Sequence, residues 1–192
     1  TTIDYEHSFM IDHGLVGMGW VTVEDYEYPE ESVSLCDIEI TTHHPNIVAG
    51  DPKDLTSAPL VELSFDIEVD CPQKGVFPAA KDAAFEVIQF ANIVRCGNEV
   101  LHASVMQWKD HAELDEELEY DGTPCEVIVY ESEKRMISAW IALVGKYNVD
   151  IINAYNNFGF DTPYVINRAG NLGNKCVMLG RMRERCTAKM ET

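Results

Sequence analysis

The clearest pattern in the chain is a strict alternation of apolar and polar residues from Val61 to Val69, V-E-L-S-F-D-I-E-V. A period of two predicts a half-buried β-strand. Asp66 and Glu68 then share one face, with Cα atoms about 6.5–7 Å apart. Carboxylates so placed repel each other unless a cation lies between them, and Mg²⁺ takes oxygen ligands of this kind. A merely solvated strand face is the alternative interpretation.

Apolar spacing predicts further elements after this strand. Strands are expected at 85–94, 99–108, 125–130 and 150–154. The helical stripe from Ser132 to Tyr147 predicts a helix with Ser132 as its N-cap and Trp140 as a core anchor. A turn at 156–161 precedes a second helix, which opens at Thr162-Pro163 and ends at Gly170. This order predicts an α/β fold, a layered sheet with flanking helices.

The first 57 residues form a separate, β-rich piece by the same criteria. Apolar runs at 9–11 and 20–23 are separated by three glycines and predict a loose hairpin, and 33–41 predicts a third strand. A turn-rich linker follows at 51–59. We therefore expect two domains: 1–57, part of a β-rich N-terminal domain with its linker, and 58–192.

Composition narrows the class of protein. The chain has 192 residues, 46% hydrophobic and 24% charged, and a net charge of −19. Such an acidic chain is not expected to bind nucleic acid by itself, because binding to phosphates needs Lys and Arg. No apolar run approaches the ~20 residues of a membrane span, and the polar start predicts no signal peptide. Because the first residue is not Met, we expect a piece of a longer protein.

Other candidate ligands are less convincing. The six cysteines lack zinc-site spacing and predict free thiols in a reducing compartment. His43-His44 precedes a proline and is expected in a loop, not at a metal. The acidic segment 110–121 has no calcium-loop pattern and predicts a solvated loop.

Asp161 follows a predicted strand and starts a predicted helix. In open α/β sheets such strand ends are where ligands collect. Capping of the helix N-terminus is the alternative role for this carboxylate. Together with Asp66 and Glu68, it could hold two divalent ions ~3.5–4 Å apart, the arrangement used for in-line attack on phosphodiesters.

These residues carry a resemblance to a known family. Phe65-Asp66-Ile67-Glu68 resembles the first exonuclease motif of family B DNA polymerases, and Tyr155-Asn156 with Phe160-Asp161-Thr162-Pro163-Tyr164 resembles the second. Between them, Lys74-Gly75-Val76-Phe77-Pro78 and Val87-Ile88-Gln89 are most similar to the delta-type branch. D-I-E alone is a weak signal, but these motifs in this order are specific.

The resemblance implies a ribonuclease-H-like 3′–5′ proofreading exonuclease domain of a DNA-directed DNA polymerase. It implies that Asp66 bridges two ions, Mg²⁺ or Mn²⁺, that Glu68 ligates the ion beside the attacking water, and that Asp161 serves the second ion. It also implies that Asn156 and Phe160 shape the pocket around the terminal nucleotide.

The resemblance further implies partners and a location. The substrate would be the 3′ end of a DNA primer, and the partners the rest of the polymerase chain, accessory subunits and a sliding clamp, without a membrane. The protein would be nuclear in a eukaryote, or viral within a host cell, and not secreted.

Two departures from the family pattern are visible. No tyrosine here has an aspartate four residues later, so the third motif, Tyr-x-x-x-Asp, is missing. Two extra residues also lie between Asp82 and Val87. We therefore expect an incomplete metal site and an inactive fragment. The alternatives are a free-standing ribonuclease-H-like exonuclease and a non-catalytic acidic interaction module.

Overall fold

A computed structural model describes residues 3–72, 74–109, 117–174, 177 and 179–182. The chain divides into two compact units. The first contains the residues up to Ala58 together with Arg181 and Met182, and the second runs from Pro59 to Gly180. Within the described ranges, no helix is both long and apolar enough to cross a membrane.

In its described residues, the first unit has one helix and four short strands. Its elements are α1 (Tyr5–Asp12), β1 (Val21–Val23), β2 (Tyr26–Glu27), β3 (Thr41–Thr42) and β4 (Ile47–Ala49), with a 3₁₀ turn at His44–Asn46. Strand β1 pairs with β4 and β2 pairs with β3, both antiparallel. Of the strand predicted at 33–41, only Thr41 lies in a strand, and Ser34 forms an isolated bridge with Met182.

The predicted hairpin is wrong because residues 9–11 belong to helix α1. The Asp4 carboxylate caps this helix by accepting a hydrogen bond from the His7 backbone N–H at 2.9 Å. Aromatic rings four residues apart, Tyr5 with Phe9 and Phe9 with His13, then pack along one side of it. A cap and i,i+4 ring pairs are local helix signals that the short apolar run concealed.

The second unit is built on a mixed five-stranded sheet. Its elements are β5 (Val61–Val69), β6 (Val87–Cys96), β7 (Glu99–Gln107), β8 (Glu119–Tyr120), β9 (Thr123–Pro124), β10 (Glu126–Val129), α2 (Glu133–Lys146), β11 (Ile151–Asn153), a π-helical turn (Asn157–Asp161) and α3 (Thr162–Asn171). The strand order is β10-β7-β6-β5-β11. The meander β5-β6-β7 is antiparallel, while β10 and β11 run parallel to β7 and β5.

The core of this unit lies where the sheet packs on the helices. Trp140 of α2 is fully buried, with its ring centroid 4.7 Å from that of Phe65 and 5.3 Å from that of Phe90. The predictions of Trp140 as a core anchor and of Ser132 as the helix N-cap are confirmed. A ring of this size dominates the burial energy of a small core.

Most predicted elements of this unit are present within two residues of their expected ends. Helix α3 runs one residue past Gly170, to Asn171. None of the four cysteines in the described ranges forms a disulfide. Of the acidic segment 110–121, residues 110–116 lie outside the described residues, as does the whole chain after 182.

Candidate functional site

Strand β5 presents Asp66 and Glu68 on the face opposite the core. Leu63, Phe65 and Ile67 are buried, and the alternating polar residues are exposed. Asp66 lies opposite Ala91 of β6, and the register shifts just after Glu68. Alternation therefore places both carboxylates on one surface, as the sequence predicted.

Parallel pairing of β11 with β5 brings Asp161 to the same edge of the sheet. Asn153, the last residue of β11, lies opposite Ser64, two positions before Asp66. The chain then turns through the π-helical segment, whose last residue is Asp161. Because parallel strands end at the same edge, this turn delivers the Asp161 carboxyl group to that of Asp66.

Asp161 is buried, with 3% of its surface exposed, and its carboxyl group lies near that of Asp66. Its side chain makes no capping hydrogen bond to α3, so the capping alternative does not describe this structure.

Electrostatics at this pair favours a proton or a cation between the two carboxyl groups. Burial raises the pKa of Asp161 most, and the negative charge and hydrogen bond of Asp66 raise it further. The backbone N–H groups of Asn156 and Asp161 lower it in part. Two carboxylates in contact disfavour double ionisation unless a positive charge compensates.

Glu68 does not join the pair closely enough to complete a ligand set. Among the described residues, no three or more His, Cys, Asp or Glu side chains are placed to hold a metal ion. Glu68 is exposed to water, which screens the repulsion between it and the other two acidic side chains. The structure thus unites two of the three predicted carboxylates and leaves Glu68 on the same face.

A groove of about 440 Å³ begins beside Glu68. Phe160 forms one wall, and Val76, Phe77 and Pro78 form another. The Phe77 and Phe160 rings meet at a centroid distance of 5.2 Å and an interplanar angle of 67°. The predicted pocket residue Phe160 therefore lines an apolar groove with a carboxylate at its edge.

Asn156, the other predicted pocket residue, is exposed at the start of the π-helical turn. Its side chain packs over Gly159, where an added Cβ would lie 2.3 Å from the Asn156 Oδ1 atom. It is not among the residues lining the groove.

Two features were missed by reasoning from the sequence. Phe77 belongs to the G-V-F-P motif, and that motif is the sequence signal for its place in the groove. The buried ion pair of Arg168 with Glu133, 2.6 Å between Nε and Oε1, was not anticipated. Its signal was weak: an arginine on the apolar side of a short helix.

Comparison with known proteins agrees with this geometry. The family model described as DNA polymerase family B, exonuclease domain, matches residues 1–192. The chain is 33% identical over 186 residues to the DNA polymerase delta catalytic subunit of Candida albicans, covering 94% of this chain and 17% of that protein. The corresponding subunits of Arabidopsis thaliana and Drosophila melanogaster are 33% and 32% identical over 182 and 184 residues.

The aligned parts cover 91% and 88% of this chain but only 16% of the plant and fly proteins. The chain thus spans about a sixth of the length of the relatives it matches. Its mixed sheet with flanking helices is the α/β, ribonuclease-H-like arrangement of such domains. The match over the whole chain, with the carboxylate pair at the sheet edge, shows that the chain belongs to the exonuclease-domain family of family B DNA polymerases.

Proposed function

We propose that this chain carries the proofreading 3′–5′ exonuclease site of a delta-type replicative DNA polymerase. The observation that supports it best is the contact between Asp66 and Asp161, which come from segments almost a hundred residues apart. Burying one carboxyl group against another costs free energy, and a cation site compensates that cost. We assign residues 58–192 to the exonuclease domain and 1–57 to part of an N-terminal domain.

The donor set suits hard divalent ions, Mg²⁺ or Mn²⁺. Asp66 would bridge two ions, Glu68 would turn in from solvent to the water-side ion, and Asp161 would serve the second. When bound, such ions supply hydroxide near neutral pH and neutralise charge on the scissile phosphate. The family's Tyr-x-x-x-Asp carboxylate is not present in these 192 residues, so the full site needs a further ligand.

The groove suits the terminal nucleotide of a single strand. Phe77 and Phe160 offer ring faces and edges to a base without selecting its identity, as proofreading requires. Asn156 lies just before the turn that carries Phe160, and its amide would donate to the sugar or phosphate. The net charge of −19 assigns the duplex contacts to other parts of a longer polymerase.

The biological setting follows from the relatives. We propose a nuclear replication enzyme whose exonuclease acts on the mispaired 3′ end of a DNA primer. The rest of the polymerase chain, accessory subunits and a sliding clamp would be its partners.

Substitution of the carboxylates tests the proposal in the full-length polymerase. Asp66→Ala and Asp161→Ala should each slow removal of a mismatched 3′ nucleotide by at least about 100-fold while leaving nucleotide addition unchanged. Glu62→Ala is the matched control, because Glu62 is exposed on the same face of β5. A mismatched end removed at the normal rate by Asp66→Ala would refute the proposal.

Metal binding gives a second, independent readout. Mn²⁺ titration should show saturable binding to the unmodified protein, weakened strongly by Asp66→Ala and unaffected by Glu62→Ala. Equal binding by all three proteins would remove Asp66 from the ligand set.

A further inference from the structure

A fully buried ion pair joins helices α2 and α3 of the second unit. Arg168 of α3 and Glu133 at the start of α2 are each 4% exposed. The Arg168 Nε atom donates to Glu133 Oε1 at 2.6 Å, and Nη2 donates to Oε2 at 2.8 Å. This fork-to-fork geometry fixes the guanidinium plane in one orientation.

The remaining guanidinium donors are directed at an irregular segment between β5 and β6. Nη1 donates to the carbonyl of Asp82 at 2.7 Å and of Ala80 at 3.4 Å, and Nη2 donates to Ala83 at 3.3 Å. Glu133 Oε1 also accepts the backbone N–H of Val87 at 2.8 Å, where β6 begins. The pair therefore holds this segment at several points, from Ala80 to Val87.

Two neighbours on α3 hold the same segment. Asn171 Nδ2 donates to the carbonyl of Ala80 at 2.9 Å, and the Tyr164 hydroxyl donates to that of Phe85 at 2.8 Å. Outside regular strands and helices, a peptide segment depends on such side-chain donors for its conformation.

This segment continues directly from one wall of the groove. Ala80 is two residues after Pro78, the end of the wall that carries Phe77. Helix α3 starts right after Asp161, next to Phe160, whose ring contacts that of Phe77. One helix thus carries the Phe160 wall covalently and secures the Phe77 wall through Arg168.

The geometry points to Arg168 as a positioning residue that holds the Phe77 wall of the groove in place for a terminal nucleotide. The inference rests on the proposed exonuclease function. Stability alone does not account for the arrangement, since buried ion pairs are often replaceable by apolar residues without loss. The three hydrogen bonds from Arg168 to backbone carbonyls restrict the conformation of the segment. A wall without this restriction would bind a nucleotide only during the fraction of time in which the wall is correctly placed, so the apparent affinity would fall.

Steady-state degradation of a short single-stranded oligonucleotide by the full-length polymerase tests this. Arg168→Lys keeps the charge but loses the fork, and should raise KM about tenfold with kcat changed less than about twofold. Asn171→Ala and Tyr164→Phe each remove one anchor and should raise KM about threefold. Arg135→Lys is the matched control, because Arg135 is exposed on α2 and should leave KM unchanged.

Coupling to Phe77 separates positioning from folding. Phe77→Ala should itself raise KM, and adding Arg168→Lys to it should raise KM little further, since both changes act on one wall. A lowered melting temperature with unchanged KM in the Arg168, Asn171 and Tyr164 variants would overturn the inference, and so would fully additive KM effects with Phe77→Ala. Asp66→Ala is measured in the same series. If Asp66→Ala degrades DNA normally, both the proposed function and this inference are wrong. If Asp66→Ala is inactive but Arg168→Lys has an unchanged KM, only the inference is wrong.

Discussion

The two units differ in how their residues are held. In the described residues before Ala58, Ser34 alone is buried, and large side chains such as Met18 and Leu55 are 83% and 89% exposed. The second unit buries a continuous apolar core under its sheet. The first unit therefore depends on local hydrogen bonds, and the second on packing, so the same substitution has different consequences in each.

Glu39 shows how the first unit is organised without a core. Its carboxylate accepts hydrogen bonds from the backbone N–H groups of Val33 and Ser34 and from the hydroxyls of Ser32 and Ser34. These bonds lower the pKa of Glu39 to about 2. At pH values above the ordinary glutamate pKa, the ionised carboxylate stabilises its loop through these hydrogen bonds. This contribution to stability is lost as the pH falls toward 2.

The largest expected difference between the units is in the loss of stability when a tryptophan is replaced by alanine. Trp140→Ala in α2 should lower the free energy of unfolding by about 3–5 kcal/mol, because it empties the centre of the core. Trp20→Ala should cost only about 1 kcal/mol, because Trp20 is 46% exposed and loses mainly its hydrogen bond to the Thr56 carbonyl. Urea unfolding followed by circular dichroism measures both. Equal costs would mean that burial does not distinguish the units.

A glycine pair separates effects on folding from effects on the site. An added Cβ at Gly50 would lie 2.7 Å from the backbone oxygen of Trp20, which cannot move away without disturbing the β1–β4 pair. Gly50→Ala should therefore cost about 1–3 kcal/mol of stability. At Gly159 the obstacle is the Asn156 side-chain amide, which can rotate away.

Gly159→Ala should therefore lower the free energy of unfolding by less than about 1 kcal/mol. It should also displace the Asn156 side chain and so raise KM for single-stranded DNA several-fold. Thermal unfolding and oligonucleotide degradation on the two variants measure these effects. A Gly159→Ala protein with normal KM would remove Asn156 from the substrate site.

Sequence reasoning succeeded where the signal was local and repeated. The two-residue period of β5 and the helical stripe of α2 determine both the element and the face it buries, so Asp66, Glu68 and Trp140 could be placed in advance. Asp161 could be placed at a strand end, but its burial against Asp66 depends on the pairing of β11 with β5, which periodicity does not encode.

Long-range polar contacts were beyond the sequence. Arg168 meets a glutamate 35 residues earlier in the chain and carbonyls of an irregular segment, and no local pattern marks either partner. The prediction of a hairpin at helix α1 was wrong for the opposite reason. The cap at Asp4 and the rings four residues apart are local helix signals, but the three adjacent apolar residues 9–11 are also typical of a short strand.

The smallest expected effect is a pH dependence specific to the second unit. His102 on β7 is 8% exposed and stacks on the Tyr147 ring at a centroid distance of 5.4 Å. Burial lowers the pKa of His102 below its ordinary value of 6.5; Glu126 opposes this shift, and Lys146 adds to it. Because the folded imidazole resists protonation, the unfolded chain gains a proton first as the pH falls below 6.5.

Stability of the second unit should therefore be full above pH 6.5 and decline below it. His102→Phe keeps a ring against Tyr147 and removes the titration, so it should flatten this decline. The substitution loses no bond at Nε2, which has no hydrogen-bond partner among the described residues. Urea unfolding at pH 7.5 and 5.5 measures the change in stability between the two pH values. Glu39→Gln is the control, because Glu39 lies in the first unit and its titration affects stability only below pH 4.5. A decline between these pH values that is as steep in His102→Phe as in the unmodified chain would assign it to another group.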